Sequence, residues 1–162
     1  MAIAADTGQP GRSIRVGAAP RALAVTPDGR TVYVADDRSA TVTPIATATN
    51  RAGRPIPAGR DPRAIAMAPD GRTAYVLNWL GATVTPIATL TNRPGRPIRV
   101  GPFPVATAFG PGARTLYAAS FGADSVTPID TATGRPGRPL PAGYVFPPTT
   151  VGAFPTAVAI TA

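Results

Sequence analysis

The chain has 162 residues, 44% of them hydrophobic, which is enough for one domain with a substantial core and argues against disorder. Its 21 Pro and 17 Gly require frequent turns, which leave little room for long helices or for a membrane span and favour an all-β class. The absence of Cys excludes disulfides, and the net charge of +8 favours polyanion binding only where the arginines cluster in space.

An internal repeat of 42 residues organises the chain. The segment GAAPRALAVTPDG at residues 17–29 recurs at 59–71 and, more loosely, at 101–113, and a fourth copy opens at Gly152. The spacing divides a single repeat domain, residues 1–162, into the end of a blade, three full repeats, an insertion and the first strand of a further blade, at residues 1–17, 18–59, 60–101, 102–143, 144–151 and 152–162.

Each repeat is predicted to contain four short strands, A to D, near residues 21–26, 31–36, 41–46 and 54–58 and at offsets of 42 residues. Strand A is apolar on both faces, so we expect a neighbour to cover each face. Tyr33 recurs in strand B of every copy, which indicates a packing position. Pro44 recurs in strand C and predicts a bulge there, and the prolines of strand D indicate an edge strand.

The B strands YVAD at 33–36 and YVLN at 75–78, preceded by PDGR and followed by VTPI, resemble YVTN-type β-propeller repeats of bacterial surface-layer and lactonase-like proteins. The third copy departs from the pattern with YAAS at 117–120. The resemblance implies β-propeller blades of four antiparallel strands, about three of them full, with partial blades at both termini. The WD40 type of propeller repeat is disfavoured, because its Gly-His and Trp-Asp signature is absent from the sequence.

The partial blades predict an unpaired strand edge and an exposed apolar face, so we expect the isolated chain to associate, aggregate or fray. No signal peptide is evident at the N-terminus. That predicts a cytoplasmic protein if the chain is complete, and a secreted or cell-surface one if it is a fragment of a longer family member.

Antiparallel connectivity places the A-to-B and C-to-D turns on one face of the domain, and this face carries most of the excess positive charge. A ring of Arg-x-x-Arg hairpins is a candidate polyanion site, since guanidinium groups pair with oxyanions. Its candidate residues are Arg51, Arg54, Arg93, Arg96, Arg135 and Arg138. The competing interpretation is that these arginines only solubilise the turns.

The opposite face carries the loops that vary between copies, where binding residues usually lie. Its candidate ligand-binding residues are Trp79, Phe103, Phe121, Tyr144, Phe146, Asp36, Asn78 and Arg63. The competing interpretation is that some of these rings cap the core.

His, Cys, Glu and Lys are all absent, and these residues supply most general bases, nucleophiles and metal ligands. We therefore predict a non-enzymatic scaffold that binds a protein partner or itself, with no catalytic residue, metal or cofactor. One alternative is a partial relative of a lactonase-like or quinoprotein-like propeller enzyme that lacks its catalytic residues. Another is polyanion or nucleic-acid binding through the arginine-rich face.

Overall fold

The computed structural model describes residues 11–142, which form three antiparallel sheets in chain order. Blade 1 contains β1 (Pro20–Val25), β2 (Thr31–Asp36), β3 (Thr41–Ala46), β4 (Arg51–Ala52) and β5 (Ile56–Pro57). Blade 2 contains β6 (Pro62–Met67), β7 (Thr73–Asn78), β8 (Thr83–Ala88), β9 (Arg93–Pro94) and β10 (Ile98–Arg99). Blade 3 contains β11 (Pro104–Phe109), β12 (Thr115–Ser120), β13 (Ser125–Asp130) and β14 (Leu140–Pro141). The helical segments among the described residues are two short 3₁₀ turns, Pro111–Ala113 and Phe121–Ala123.

Strands A to C lie within one residue of their predicted bounds, whereas strand D does not form as one piece. In blade 1 the chain pairs with β3 through β4, leaves the sheet, and pairs with β3 again through β5. The gap lies opposite Pro44, whose nitrogen carries no hydrogen to hold a partner strand. The N–H of Gly53 instead donates to the Pro44 carbonyl at 2.7 Å, and the same bond recurs from Gly95 to Pro86 and from Gly137 to Pro128.

The bulge predicted in strand C is wrong. β2 and β3 pair residue for residue from Thr31 to Asp36, with Tyr33 opposite Pro44. The register shift lies instead in strand A, at Arg21 in blade 1, and it recurs at Arg63 and Val105 in the next two blades. A bulge there turns the start of strand A relative to the rest of the sheet.

Adjacent blades pack by one rule, with the face that carries the strand B tyrosine against the opposite face of the next blade. We call these the tyrosine face and the reverse face. Between blades 1 and 2 the buried cluster joins the tyrosine face to the reverse face through Tyr33, Val42, Ile56, Ala74, Val76 and Ile87. The Tyr33 hydroxyl also donates to Asn92 Oδ1 of blade 2 at 2.7 Å, and burial raises the pKa of this phenol.

The junction between blades 2 and 3 repeats this arrangement. Its buried cluster is formed by Ala68, Tyr75, Leu77, Val84, Ile98, Leu116, Ala118 and Ile129. The ring of Phe109 meets Tyr75 edge to face, with 5.8 Å between centroids. The packing role predicted for the strand B tyrosines is confirmed for Tyr33 and Tyr75, which are 1% and 4% exposed.

The expectation that strand A is covered on both faces fails in blade 1. Ile65 and Met67 on the reverse face of blade 2 pack against the buried cluster of the first junction. The equivalent residues of blade 1, Leu23 and Val25, are 67% and 47% exposed. This strip of the reverse face is therefore the exposed part of strand A in blade 1.

Candidate functional site

The B-to-C turn of each blade is fixed to the chain just before strand A by two backbone hydrogen bonds, the first of them donated by the residue that opens the turn. The N–H of Trp79 donates to the carbonyl of Asp61 at 2.8 Å, and the N–H of Phe121 donates to that of Phe103 at 3.0 Å. Asp61 and Phe103 adopt left-handed backbone conformations, with φ of 58° and 54°. The side chains that precede strand A and follow strand B are thus held together at one end of each blade.

This geometry brings four of the predicted ligand-binding residues into one group, which we call the aromatic patch: Arg63, Trp79, Phe103 and Phe121. The Trp79 ring lies 5.0 Å from Phe103 and 6.0 Å from Phe121, measured between centroids. The guanidinium carbon of Arg63 lies 4.4 Å from the Trp79 centroid, a cation–π contact. Trp79 belongs to blade 2 and both phenylalanines to blade 3, so the patch crosses the junction between the blades.

The Asp61 carboxylate orients the cation of the patch. The Nε–H of Arg63 donates to Asp61 Oδ1 at 2.9 Å, and Asp61 itself is buried. Burial acts to raise the pKa of Asp61, but the hydrogen bond and the charge of Arg63, together with a hydrogen bond to Asp37 and the charge of Arg21, outweigh burial and leave that pKa below its usual value. Asp61 was not among the residues predicted from sequence, although its position two residues before Arg63 was a local signal.

The same position in blade 1 holds an ion pair instead of a cation–π contact. The Nε of Arg21 lies 3.3 Å from Asp37 Oδ2, and Arg21 and Asp37 are the counterparts of Arg63 and Trp79 in the repeat. An exposed ion pair of this kind contributes little to stability. The repeat thus keeps an arginine next to the turn in both blades, and only blade 2 presents an aromatic surface to it.

Asp36 and Asn78, predicted as polar ligand-binding residues of this face, are fully buried and do not belong to the aromatic patch. Asp36 Oδ2 accepts a 2.6 Å hydrogen bond from the hydroxyl of Thr43. The Asn78 amide donates to the hydroxyls of Thr83 and Thr85, and its Oδ1 accepts from the N–H of Gly59. Strand pairing turns both side chains inward, where Asp36 bonds to strand C and Asn78 bonds both to strand C and to the chain that precedes strand A.

The two remaining predicted ligand-binding residues, Tyr144 and Phe146, lie outside the described residues, as does the insertion that contains them.

The six predicted polyanion-binding arginines are all exposed. Two of them, Arg96 and Arg135, line a groove of about 660 Å³ between the outer strands of blade 2 and the C-to-D turn of blade 3. Arg99, which the sequence reasoning did not select, lines the same groove, and no acidic residue does. None of these three arginines forms an ion pair with another described residue.

Between residues 11 and 142, no three acidic side chains come together in a way that could hold a metal ion. No helix in this part of the chain is long and apolar enough to cross a membrane.

No protein-family model matches the chain, and no curated protein matches it significantly. Solved structures do match. Hydrazine synthase from Kuenenia stuttgartiensis aligns with a TM-score of 0.72 and 24% identity over 81% of this chain and 38% of that one. The WD40 repeats of RRP9 align with a TM-score of 0.68 and 17% identity over 76% of this chain and 39% of that one.

A candidate 6-phosphogluconolactonase from Bacteroides fragilis aligns with a TM-score of 0.65 and 23% identity over 75% of this chain and 38% of that one. The chain therefore spans less than two fifths of the length of all three proteins. At these identities the likeness concerns the fold alone, because activity depends on particular site residues. The chain is built of β-propeller blades, three of which lie within residues 11–142.

Proposed function

We propose that this protein is a non-enzymatic scaffold, built from YVTN-type propeller repeats, that binds a protein partner through the aromatic patch. The observation that carries the proposal is the convergence of Trp79, Phe103, Phe121 and Arg63 at one end of the junction between blades 2 and 3. Trp and Arg are the residues most enriched where protein interfaces concentrate their binding energy. The absence of His, Cys, Glu and Lys from the sequence, which supply most general bases and nucleophiles, supports a role in binding.

The side chains of the patch are partly exposed and partly buried, as the anchor residues of a protein interface need to be. Phe103 is 37% exposed, while Trp79 and Phe121 are half-buried, so a partner finds apolar surface that is already held in place. The Asp61–Arg63 pair restricts the guanidinium before binding, which lowers the entropy lost when a partner docks. The rival assignment to a propeller enzyme rests on fold likeness, and no described residue favours it.

The test compares binding of the full chain with that of Trp79→Ala and Arg63→Ala. Partners recovered with the wild-type chain are identified and purified, and their affinities are measured by calorimetry. We expect each substitution to weaken binding by about tenfold or more, the loss typical of a central interface residue. The matched control is Leu90→Ala, which removes a side chain that is 95% exposed on the opposite face. Equal affinity of all four proteins for every partner would contradict the proposal.

A second candidate function, binding of an oxyanion-rich polymer, has one specific observation in its favour. Arg96, Arg99 and Arg135 line one groove without an acidic neighbour among the lining residues. Guanidinium groups in such a groove can pair with phosphate or sulfate oxygens.

For this candidate, replacement of Arg96, Arg99 and Arg135 by glutamine should shift heparin elution to lower salt. The dependence of log affinity on log salt should fall by about three units, one for each lost contact. The control removes equal charge from three exposed arginines that do not line the groove, through Arg15→Gln, Arg38→Gln and Arg60→Gln. If both triple variants elute together, the interaction is a net-charge effect and the groove is not a site.

A further inference from the structure

The buried tyrosines of strand B have different surroundings at the two junctions between blades. At the first junction the hydroxyl of Tyr33 donates to Oδ1 of Asn92 at 2.7 Å, and this asparagine lies in the C-to-D turn of blade 2. The residue 42 positions later is Gly134, which has no side chain to offer Tyr75. The hydroxyl of Tyr75 accordingly forms no hydrogen bond with another described residue.

The two C-to-D turns otherwise have the same backbone. Asn92 and Gly134 adopt left-handed conformations, with φ of 54° and 66°, and the N–H of each donates to the carbonyl four residues earlier at 2.8 Å. A Cβ added at Gly134 would meet only Ile98, at 3.8 Å, so a side chain fits at this position. The exchange of asparagine for glycine therefore removes an amide from an unchanged turn, which leaves the space beside the Tyr75 hydroxyl open.

Tyr75 is only 4% exposed, yet it lines two grooves at the junction between blades 2 and 3. One is the arginine groove, the 660 Å³ groove lined by Arg96, Arg99 and Arg135. The other has a volume of about 830 Å³, and the residues that both grooves share are Thr73, Tyr75, Thr131 and Ala132. Some side-chain oxygens between residues 11 and 142 are both unbonded and sealed from solvent, but the Tyr75 hydroxyl is not among them. This hydroxyl therefore opens onto the grooves.

The Tyr75 hydroxyl is suited to donate a hydrogen bond to an anion. Burial raises the pKa of Tyr75, and the charges of Asp70 and Asp130 add to this effect, so the phenol keeps its proton. Neither carboxylate lines the arginine groove. Each is bonded within its own turn, Asp70 to the N–H of Arg72 at 2.9 Å and Asp130 to the hydroxyl of Thr133 at 2.7 Å. A buried donor without a partner is costly, so a ligand oxygen that accepts from it is favoured.

We propose that the arginine groove holds a single tetrahedral oxyanion group, phosphate or sulfate, which accepts a hydrogen bond from the Tyr75 hydroxyl and pairs with the three arginines. The inference rests on the second candidate function above, because it uses the same arginines. It adds a discrete site and a neutral donor, which a merely charged surface does not need. The first junction has no equivalent site, because Asn92 already accepts from its tyrosine and the counterpart of Arg99 is Pro57.

The test titrates the full chain, labelled with ¹³C in the rings of its four tyrosines, with inorganic phosphate and follows the signals by NMR. We expect phosphate to shift the Tyr75 signal to saturation and to leave the Tyr33 signal in place. Gly134→Asn restores the amide of the first junction and leaves every charge in place. It should weaken phosphate binding by at least about tenfold, the loss of a hydrogen bond to a charged group. The matched control is Gly29→Asn, at a φ of 69° with nothing within 4 Å of an added Cβ.

Two tyrosine variants test whether the hydroxyl is unpaired, with circular dichroism to verify intact sheets. In urea without phosphate, Tyr33→Phe should lower the midpoint of unfolding because it deletes the bond to Asn92, whereas Tyr75→Phe should leave the midpoint unchanged. Tyr75→Phe should instead weaken phosphate binding by about tenfold, measured by calorimetry. An equal fall in the two midpoints would show that Tyr75 has a partner within the protein, and would overturn the proposal.

The outcomes separate this site from the polymer interaction. If Gly134→Asn binds phosphate as the wild type does, while the triple variant of Arg96, Arg99 and Arg135 still loses heparin, the discrete site is wrong and the second candidate function stands. Co-elution of the two triple variants from heparin would instead remove that function. Phenyl phosphate identifies the source of the group: tighter binding than inorganic phosphate would support an ester of a larger ligand, and weaker binding a free ion. Binding of neither would overturn the proposal.

Discussion

Leu116→Ala is expected to lower the free energy of unfolding by about 2 to 5 kcal/mol, the cost of deleting a buried leucine side chain in a packed core. Leu116 is 0% exposed and belongs to the cluster that joins the tyrosine face of blade 2 to the reverse face of blade 3. The substitution leaves a cavity in the junction itself, where few atoms are free to move in and fill it.

Urea unfolding followed by far-ultraviolet circular dichroism, at one fixed protein concentration, measures the effect. Leu90→Ala provides a control with the same change of side chain, because Leu90 is 95% exposed. Its free energy of unfolding should change by less than about 0.5 kcal/mol. Similar losses in the two variants would mean that the junction between blades 2 and 3 is not the core of the domain.

The sequence predicted strands A to C closely because three independent features repeat together. Apolar alternation, the turn residues and the 42-residue spacing all agree, so an error in one copy is corrected by the others. Strand D was harder to predict because Pro44 acts across strands. A proline in strand C removes hydrogen bonds that strand D would need, so strand D is the strand that breaks into two pieces. The residue pattern of strand D alone does not show this effect of its neighbour.

The aromatic patch was only partly accessible to sequence reasoning. Loop positions placed Trp79, Phe103 and Phe121 on one face, but their contact depends on how blade 3 packs against blade 2. Asp36 and Asn78 were misplaced because polar residues at the end of a strand usually face solvent. The signal that could have corrected this is the threonine seven residues later, Thr43 or Thr85, which bonds to each of them from strand C.

The glycine that opens each repeat is explained by these buried polar side chains. A Cβ added at Gly59 would lie 2.5 Å from Cγ and Nδ2 of Asn78, and one added at Gly17 would lie 2.7 Å from Asp36. Neither neighbour can move aside, since both are fully buried. The repeat therefore requires glycine for close approach at this position, whereas Gly29 meets the demand of a positive φ in its turn.

Gly59→Ala is accordingly expected to lower the free energy of unfolding by about 2 to 3 kcal/mol, through overpacking and the distortion of the Asn78 hydrogen bonds. Gly112→Ala supplies the comparison, because nothing lies within 4 Å of its added Cβ and only its φ of 68° opposes the change. That strain should cost about 1 kcal/mol. Urea unfolding of both variants ranks the two effects.

A double-mutant cycle with Asn78→Ala then isolates the clash. The combined loss in Gly59→Ala/Asn78→Ala should be smaller than the sum of the single losses by at least about 1 kcal/mol, since the smaller side chain removes the nearest atoms. Additive losses would show that the glycine is needed for another reason.

The near-ultraviolet circular dichroism of Trp79 should also change in Gly59→Ala, because Trp79 directly follows Asn78 and its N–H bonds to the Asp61 carbonyl, two residues beyond Gly59. A buried contact within blade 2 thus positions the surface proposed to bind the partner.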